Sequence, residues 1–203
     1  MKVLFIEAKQ KNLDIDISQR EINRLPKKLF LAYCLQYEPL AFRIKKQLLN
    51  SKIKVEGFRQ VLGCSKINTK LPVFLISTGM FHAINLFLQA PAIYILQGNK
   101  ITRIPNKEIE KIKIKRKTAL MKFLKAETVG ILVSIKPGQE ELDTAIKLKN
   151  KLIKKGKQAY IFLSNNINIT QFENFSIDSW VNTSCPGLAI DDPNIINIDQ
   201  LPK

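Results

Sequence analysis

The chain of 203 residues is 45% hydrophobic and 25% charged, which suits one sizeable core or two small ones and excludes a disordered or low-complexity chain. No run approaches the roughly eighteen apolar residues of a membrane span, and Lys2 and Glu7 interrupt the first segment too early for a secretory leader, so a cytoplasmic protein with no membrane partner is expected. The 33 basic residues outnumber the 17 acidic ones, giving +16, yet only Arg20, Arg24, Arg43, Arg59, Arg103 and Arg116 are arginines. That lysine excess, beside many Ile and Asn, reads first as coding bias and only second as a nucleic-acid surface, which would favour arginine forks on phosphate and base edges.

In chain order, Val3–Ile6 is an isolated predicted strand followed by the polar stretch Lys9–Arg24, with no helix to return it to a sheet; such a strand belongs to something larger. Further strands are predicted at Leu29–Gln36, Val73–Ser77, Ala92–Leu96, Val129–Ile135, Ala159–Leu163 and Trp180–Asn182, with helices beginning near Pro39, Phe81, Asn106, Gln139 and Thr170. Pro39 suits a first helical turn, and Gly156 suits a helix end. The helix from Gln139 puts Leu142, Ala145, Ile146, Leu148, Leu152 and Ile153 largely on one side and Lys147, Lys149, Lys154 and Lys155 toward solvent. Apolar runs alternating with helical periods mark parallel strands covered on both faces. The predicted class is α/β: two consecutive small domains, each a parallel β-sheet flanked by helices, meeting at Ala126–Thr128. The connecting segment Lys100–Lys125 carries ten basic residues against Glu108 and Glu110, whereas Asn166–Lys203 is acidic on balance.

Ligands of open parallel sheets bind outside the carboxyl ends of the strands. That rule singles out Thr78-Gly79-Met80-Phe81-His82, Lys136-Pro137-Gly138-Gln139 and Thr183-Ser184-Cys185-Pro186-Gly187. The first two also open helices, whose N-termini hold carboxylates or phosphates. Each has a plainer alternative: helix capping by Ser77-Thr78-Gly79, a structural hydrogen bond at His82, a simple turn at Lys136–Gln139. No GxGxxG, P-loop, HExxH or Ser/His/Asp set is present, which removes most weight from hydrolase and nucleotide-kinase readings.

The three cysteines, Cys34, Cys64 and Cys185, are an odd count with wide gaps, so neither a disulfide framework nor a closed zinc site fits. Cys34 falls inside a predicted strand, where a small buried hydrophobe is the default. Cys64 and Cys185 fall in predicted loops beside Gly63 and Pro186, where a thiol can reach a metal.

Five motifs, in order along nearly the whole chain, resemble the diphthamide synthesis enzymes of the archaeal, homodimeric type. They are Val3-Leu4-Phe5-Ile6-Glu7-Ala8-Lys9, Gln60-Val61-Leu62-Gly63-Cys64-Ser65, Gly79-Met80-Phe81-His82-Ala83, Val133-Ser134-Ile135-Lys136-Pro137-Gly138-Gln139, and Trp180-Val181-Asn182-Thr183-Ser184-Cys185-Pro186 with Ala189-Ile190-Asp191-Asp192 behind. Such enzymes make 2-(3-amino-3-carboxypropyl)histidine on translation elongation factor 2. The resemblance implies three α/β domains, each giving one cysteine to a 4Fe-4S cluster whose open iron binds S-adenosylmethionine. It also implies cleavage of the sulfur to γ-carbon bond and addition of the resulting 3-amino-3-carboxypropyl radical to an imidazole carbon.

Carried onto this sequence, Cys64 resembles the middle-domain ligand and Cys185 the last-domain ligand, while Cys34 matches none. Gly79, Phe81, His82, Lys136, Gly138 and Gln139 resemble the S-adenosylmethionine pocket. Residues 1–26 look like the last strand of a first domain plus a linker, 27–126 like the middle domain and 127–203 like the last. The first-domain cysteine is therefore expected from a separately encoded first-domain subunit or a homologue, in a dimeric assembly. Gly187 departs from the family, which usually has Arg there. The competing expectation is a non-catalytic accessory subunit, or a module that binds RNA or an acidic protein through the Lys100–Lys125 face.

Overall fold

The computed structural model describes residues 4, 6–10, 13–77, 81–86, 89–136, 141–189 and 192–202, without the side chains of Phe81 and Asn85. The chain forms two compact units, Met1–Ile109 and Glu110–Lys203. That division falls earlier than Ala126–Thr128 and lies within a long helix. Val3 and Phe5 of the expected first strand lie outside the described residues, and Leu4 and Ile6 are 83% and 81% exposed.

In the first unit an extended strap precedes any sheet. Leu13, Ile15 and Ile17 turn alternately inward onto the core, while Asp14 and Asp16 face solvent. Ser18 then caps α1 (Gln19–Ile22), and β1 (Lys28–Tyr33) leads into α2 (Glu38–Asn50), which has Pro39 in its first turn. α2 buries Leu40, Ala41, Ile44 and Leu48 at helical spacing. Its outer side chains hold the strap: Arg43 donates to the carbonyls of Leu13 and Ile15, both at 2.8 Å, and Gln47 donates to that of Ile17. Side chains here satisfy strand-like carbonyls that have no sheet partner.

The strands β2 (Lys54–Gln60), β3 (Val73–Ile76), β4 (Ile93–Gln97) and β5 (Lys100–Arg103), with α3 (Phe81–Leu86), complete the unit. The sheet order is β2-β1-β3-β4-β5, parallel except for β5. The β4–β5 turn uses Gly98 at φ 58, a left-handed conformation natural to glycine. β1 and β2 shift register between Leu29 and Phe30, which sets Phe30 opposite Gly57; a Cβ on Gly57 would lie 2.3 Å from the Phe30 ring. β2 escapes a hydrophobicity reading because it is an edge strand, charged at Lys54, Glu56 and Arg59.

α4 (Asn106–Lys125) runs from the end of the first unit into the second, where Ala119 and Phe123 join the core. β6 (Thr128–Ser134), α5 (Leu142–Lys154), β7 (Gln158–Ser164), β8 (Ser179–Asn182) and β9 (Ile195–Asn197) follow, in an all-parallel sheet of order β7-β6-β8-β9. α5 ends at Gly156, φ 80, with the amides of Gly156 and Lys157 returning to Ile153 and Leu152. The expected helix near Thr170 is a 3-10 segment, Ile169–Phe175, capped by Asn168. Its Phe172 and Phe175 pack on Phe162 at ring centroid distances of 5.1 Å, beside Trp180. Clustering these rings takes precedence over helical period. The two sheets agree with the expected α/β class, and among the described residues no helix is long and apolar enough to cross a membrane.

Candidate functional site

Parallel strands bring their carboxyl ends to one edge of a sheet, and the residues just beyond β2 and β8 carry the two loop cysteines. In the second unit the Cys185 turn is held from beneath. Asn182, 1% exposed at the end of β8, donates through Nδ2 to Asn197 Oδ1 at 2.7 Å and to the Cys185 carbonyl at 2.9 Å, and its Oδ1 accepts from the Ser184 amide. Asn197 in turn donates to the Pro186 carbonyl. The Thr183 hydroxyl and amide both donate to the Leu132 carbonyl, and Ser184 Oγ accepts from the Ser134 amide at 2.7 Å. These bonds tie the turn to strands β6, β8 and β9, and the Cys185 thiol is half-buried and free.

Lys136 follows β6 on this edge. Its side chain is exposed and its amide donates to Ser134 Oγ at 3.2 Å. Gly138 and Gln139 lie outside the described residues. Gly187 sits in a 3-10 turn, Pro186–Ala189, so no guanidinium accompanies Cys185 there.

In the first unit Cys64 is exposed and free, three residues past the buried Val61. The Leu62 amide donates to Ser65 Oγ, and the Ser65 amide to the Leu62 carbonyl. The Gln89 carboxamide clamps the loop from the far side, accepting from the Ile67 amide at 2.6 Å and donating to the Ser65 carbonyl at 3.2 Å. The Cys64 loop is therefore built, although it belongs to no helix or strand.

Beyond β1 and β3 lies a second polar group. Ser77, 5% exposed, meets His82 Nδ1 at 3.2 Å. Burial pushes the Cys34 thiol up and the His82 imidazole down, so both stay neutral near pH 7. Cys34, 4% exposed, is a core thiol. Phe81 opens α3, and Gly79 lies outside the described residues. At the same edge Glu38 pairs with Lys9, and the Gln10 amide donates to the Gln36 carbonyl. Burial, and then the Glu38 carboxylate, raises the Tyr33 phenol.

The sequence patterns pointed to both loop cysteines and to His82 and Lys136. They missed the residues that fix them: Asn182, Asn197, Gln89 and Ser77. The legible signal would have been an Asn closing each of the apolar runs Trp180-Val181 and Ile195-Ile196, since a polar side chain at a buried strand end must be paid with hydrogen bonds. Among the described residues no three His, Cys, Asp or Glu side chains gather around a common point.

The sequence model of the diphthamide synthesis protein family matches residues 1–195. A 2-(3-amino-3-carboxypropyl)histidine synthase of Pyrococcus horikoshii is 27% identical over 94% of this chain, and the chain spans only 58% of that relative's length. Subunit 1 of the corresponding synthase of Yarrowia lipolytica is 28% identical over 77% of the chain, with 39% of the relative covered. Among solved structures, Dph2 from Pyrococcus horikoshii with a 4Fe-4S cluster superimposes with a TM-score of 0.77 at 24% identity, over 89% of this chain and 58% of that one.

Proposed function

The chain belongs to the diphthamide synthesis family, and from that premise we propose that it forms part of a 2-(3-amino-3-carboxypropyl)histidine synthase, with Cys64 and Cys185 as two thiolate ligands of a 4Fe-4S cluster. The observation that carries this reading is that both are free thiols on hydrogen-bonded turns beyond the carboxyl ends of parallel strands. Thiolates are the donors iron–sulfur clusters take, so this donor set fits two of three positions. Cys34 does not suit the third, because its thiol is buried among core side chains and held protonated. The third thiolate is not among the 203 residues, and its proposed source is a first-domain subunit or a homologue in a dimeric assembly. When bound, the cluster would supply the electron that cleaves S-adenosylmethionine and the vacant iron that positions it.

This chain's own residues would shape the substrate pocket. His82, neutral and anchored by Ser77, offers a hydrogen-bonding imidazole without charge. Lys136, exposed past β6, offers a cation to the substrate carboxylate. Phe81, Gly79, Gly138 and Gln139 complete the pocket in this proposal. The acceptor is a histidine of translation elongation factor 2, in the cytoplasm.

The test is anaerobic reconstitution of the chain with and without a partner bearing the first-domain cysteine. Iron and sulfide are assayed, and label transfer from S-adenosylmethionine to elongation factor 2 is followed. Cluster absorbance that needs the partner and is lost in Cys64→Ala and in Cys185→Ala is expected. A complex with no cluster, or one indifferent to both substitutions, overturns the proposal. A cluster-free complex that still stimulates an active homologue identifies an accessory subunit instead.

A second reading, RNA binding by the basic helix α4, is favoured by the exposure of Lys111, Lys113, Lys115 and Lys117, which fall in two pairs on opposite sides of the helix. Arg116 is turned inward, where burial lowers it and Asp199 counters that effect, so it is not part of that exposed set. Steeply salt-dependent affinity for RNA, lost when the four lysines are neutralised, would support this reading.

A further inference from the structure

The second unit has a groove of about 430 Å³ between the last turn of α4, the length of α5 and the C-terminal turn. Its floor is Phe123, Leu148, Leu152, Ile198 and Leu201, the first three buried in the core and the last two packed against it. Leu124, at the lip, is 51% exposed. Lys147, Lys151 and Lys155 rim it, and no Asp or Glu is among its described lining residues. Lys157 also lines it, but its Nζ donates to the carbonyls of Leu124 and Ala126, closing the end of α4 and fixing that wall. α5 runs back against the parallel strands it connects, so the Lys155 end of the groove lies at the amino edge of the sheet, opposite the Cys185 turn.

We propose that this groove docks an acidic amphipathic helix of a partner protein, through a row of lysines along α5 and its C-terminal cap beside an aliphatic floor. The three lysines are spaced four residues apart, which on a helix places them about 6 Å apart along its axis. A helix laid alongside, with carboxylates at the same spacing, meets them charge for charge while its apolar face enters the groove at i, i+4 and i+7. Other occupants match less well. A second copy of this chain offers no acidic helix among its described residues, since α2, α4 and α5 each carry more Lys and Arg than Asp and Glu. A single-stranded nucleic acid needs exposed rings for its bases to stack on, and the one ring in the groove, Phe123, is 6% exposed. A membrane takes protruding apolar side chains, and here most of the apolar surface is recessed. The inference is independent of the cluster and of the α4 lysines.

The probe is a synthetic helical peptide of about four turns, with leucines at i, i+4 and i+7 flanked by glutamates. It is titrated into the full chain and followed by heteronuclear NMR. Saturable shifts confined to the groove are expected, with affinity falling at least about tenfold in Lys147→Glu/Lys151→Glu and recovering when the peptide's glutamates become lysines. All the substituted side chains are exposed, so the variant keeps its fold. The proposal is overturned if no saturable shifts occur, if a scrambled peptide of the same composition binds equally well, or if the charge swap fails to restore binding. Tighter binding of phosphatidylserine vesicles or a single-stranded RNA at the same residues also overturns it.

Discussion

Asn182 on β8 and Asn197 on β9 face each other across neighbouring parallel strands, with Nδ2 of the first 2.7 Å from Oδ1 of the second. Each also holds a carbonyl of the cysteine turn, Asn182 that of Cys185 and Asn197 that of Pro186. The pair converts two buried polar side chains into a support for the turn that carries Cys185, three residues past Asn182. Replacing Asn182 with Ala strands the Asn197 oxygen and frees the turn, so a loss of about 1–3 kcal/mol is expected in urea unfolding. Asn182→Ala/Asn197→Ala should cost less than the sum of the singles, and additive losses would show that the two side chains act separately.

The three thiols should separate by reactivity. Cys64 is exposed, Cys185 half-buried and Cys34 buried with its thiol raised. Iodoacetamide at about pH 8 should label Cys64 first, Cys185 next and Cys34 only on unfolding. Peptide mapping by mass spectrometry checks the order, and early labelling of Cys34 contradicts the burial described for it.

His82 gives stability a pH dependence of known sign. Its pKa falls below the ordinary 6.5 on folding because burial penalises the imidazolium. Above 6.5 it is neutral in both states. As pH drops below that value the unfolded chain binds the proton first, so stability declines until the folded-state pKa is passed. Denaturation midpoints measured at steps from pH 8 to pH 5 should show a slope that is smaller in His82→Gln; an unchanged slope would remove His82 as its source.

Arg43 should govern the strap. Its guanidinium bridges the Leu13 and Ile15 carbonyls, and Arg43→Ala leaves both without that partner. Faster proteolysis within residues 13–17 and a loss of about 1–2 kcal/mol are expected. Arg43→Lys should recover only part, since an ammonium lacks the planar fork. Equal cleavage rates in wild type and Arg43→Ala would show that the apolar contacts alone retain the strap.

Gly130→Ala would place a Cβ 2.4 Å from the Trp180 ring. The ring is packed between Phe162 and Phe172 and has little room to yield, so a loss of about 1–3 kcal/mol is expected, with altered fluorescence from the only Trp. Unchanged emission and stability would mean the ring moves freely.

Much of this was open to a reading of residues alone. The runs at Val73–Ile76 and Thr128–Ser134 are buried on both faces, so their apolar character is continuous and marks them as central strands. Glycine 156 and Pro39 mark helix limits because their backbone chemistry admits few alternatives. Cys64 and Cys185 could be picked out because they stand among turn-forming residues. By contrast β2 and β5 are edge strands with charged residues, and β9 is only three residues long, so none has enough period to register.

What the sequence by itself determined is the α/β class, the central strands, the two loop thiols and the family motifs, all of which depend on local residue type and spacing. Only the tertiary structure decided which side chains hold those thiols in place. Asn182 and Asn197 are 15 residues apart, Gln89 and Ser65 are 24 apart, and nothing in the local chemistry of either member names its partner. Their pairing follows from strand order and register, because a buried amide or carbonyl must find a hydrogen bond wherever the fold delivers it. The same holds for the lysine row along α5 and its C-terminal cap, a plain solvated face in sequence, which borders an apolar groove only because α4 and the C-terminal turn fold beside it.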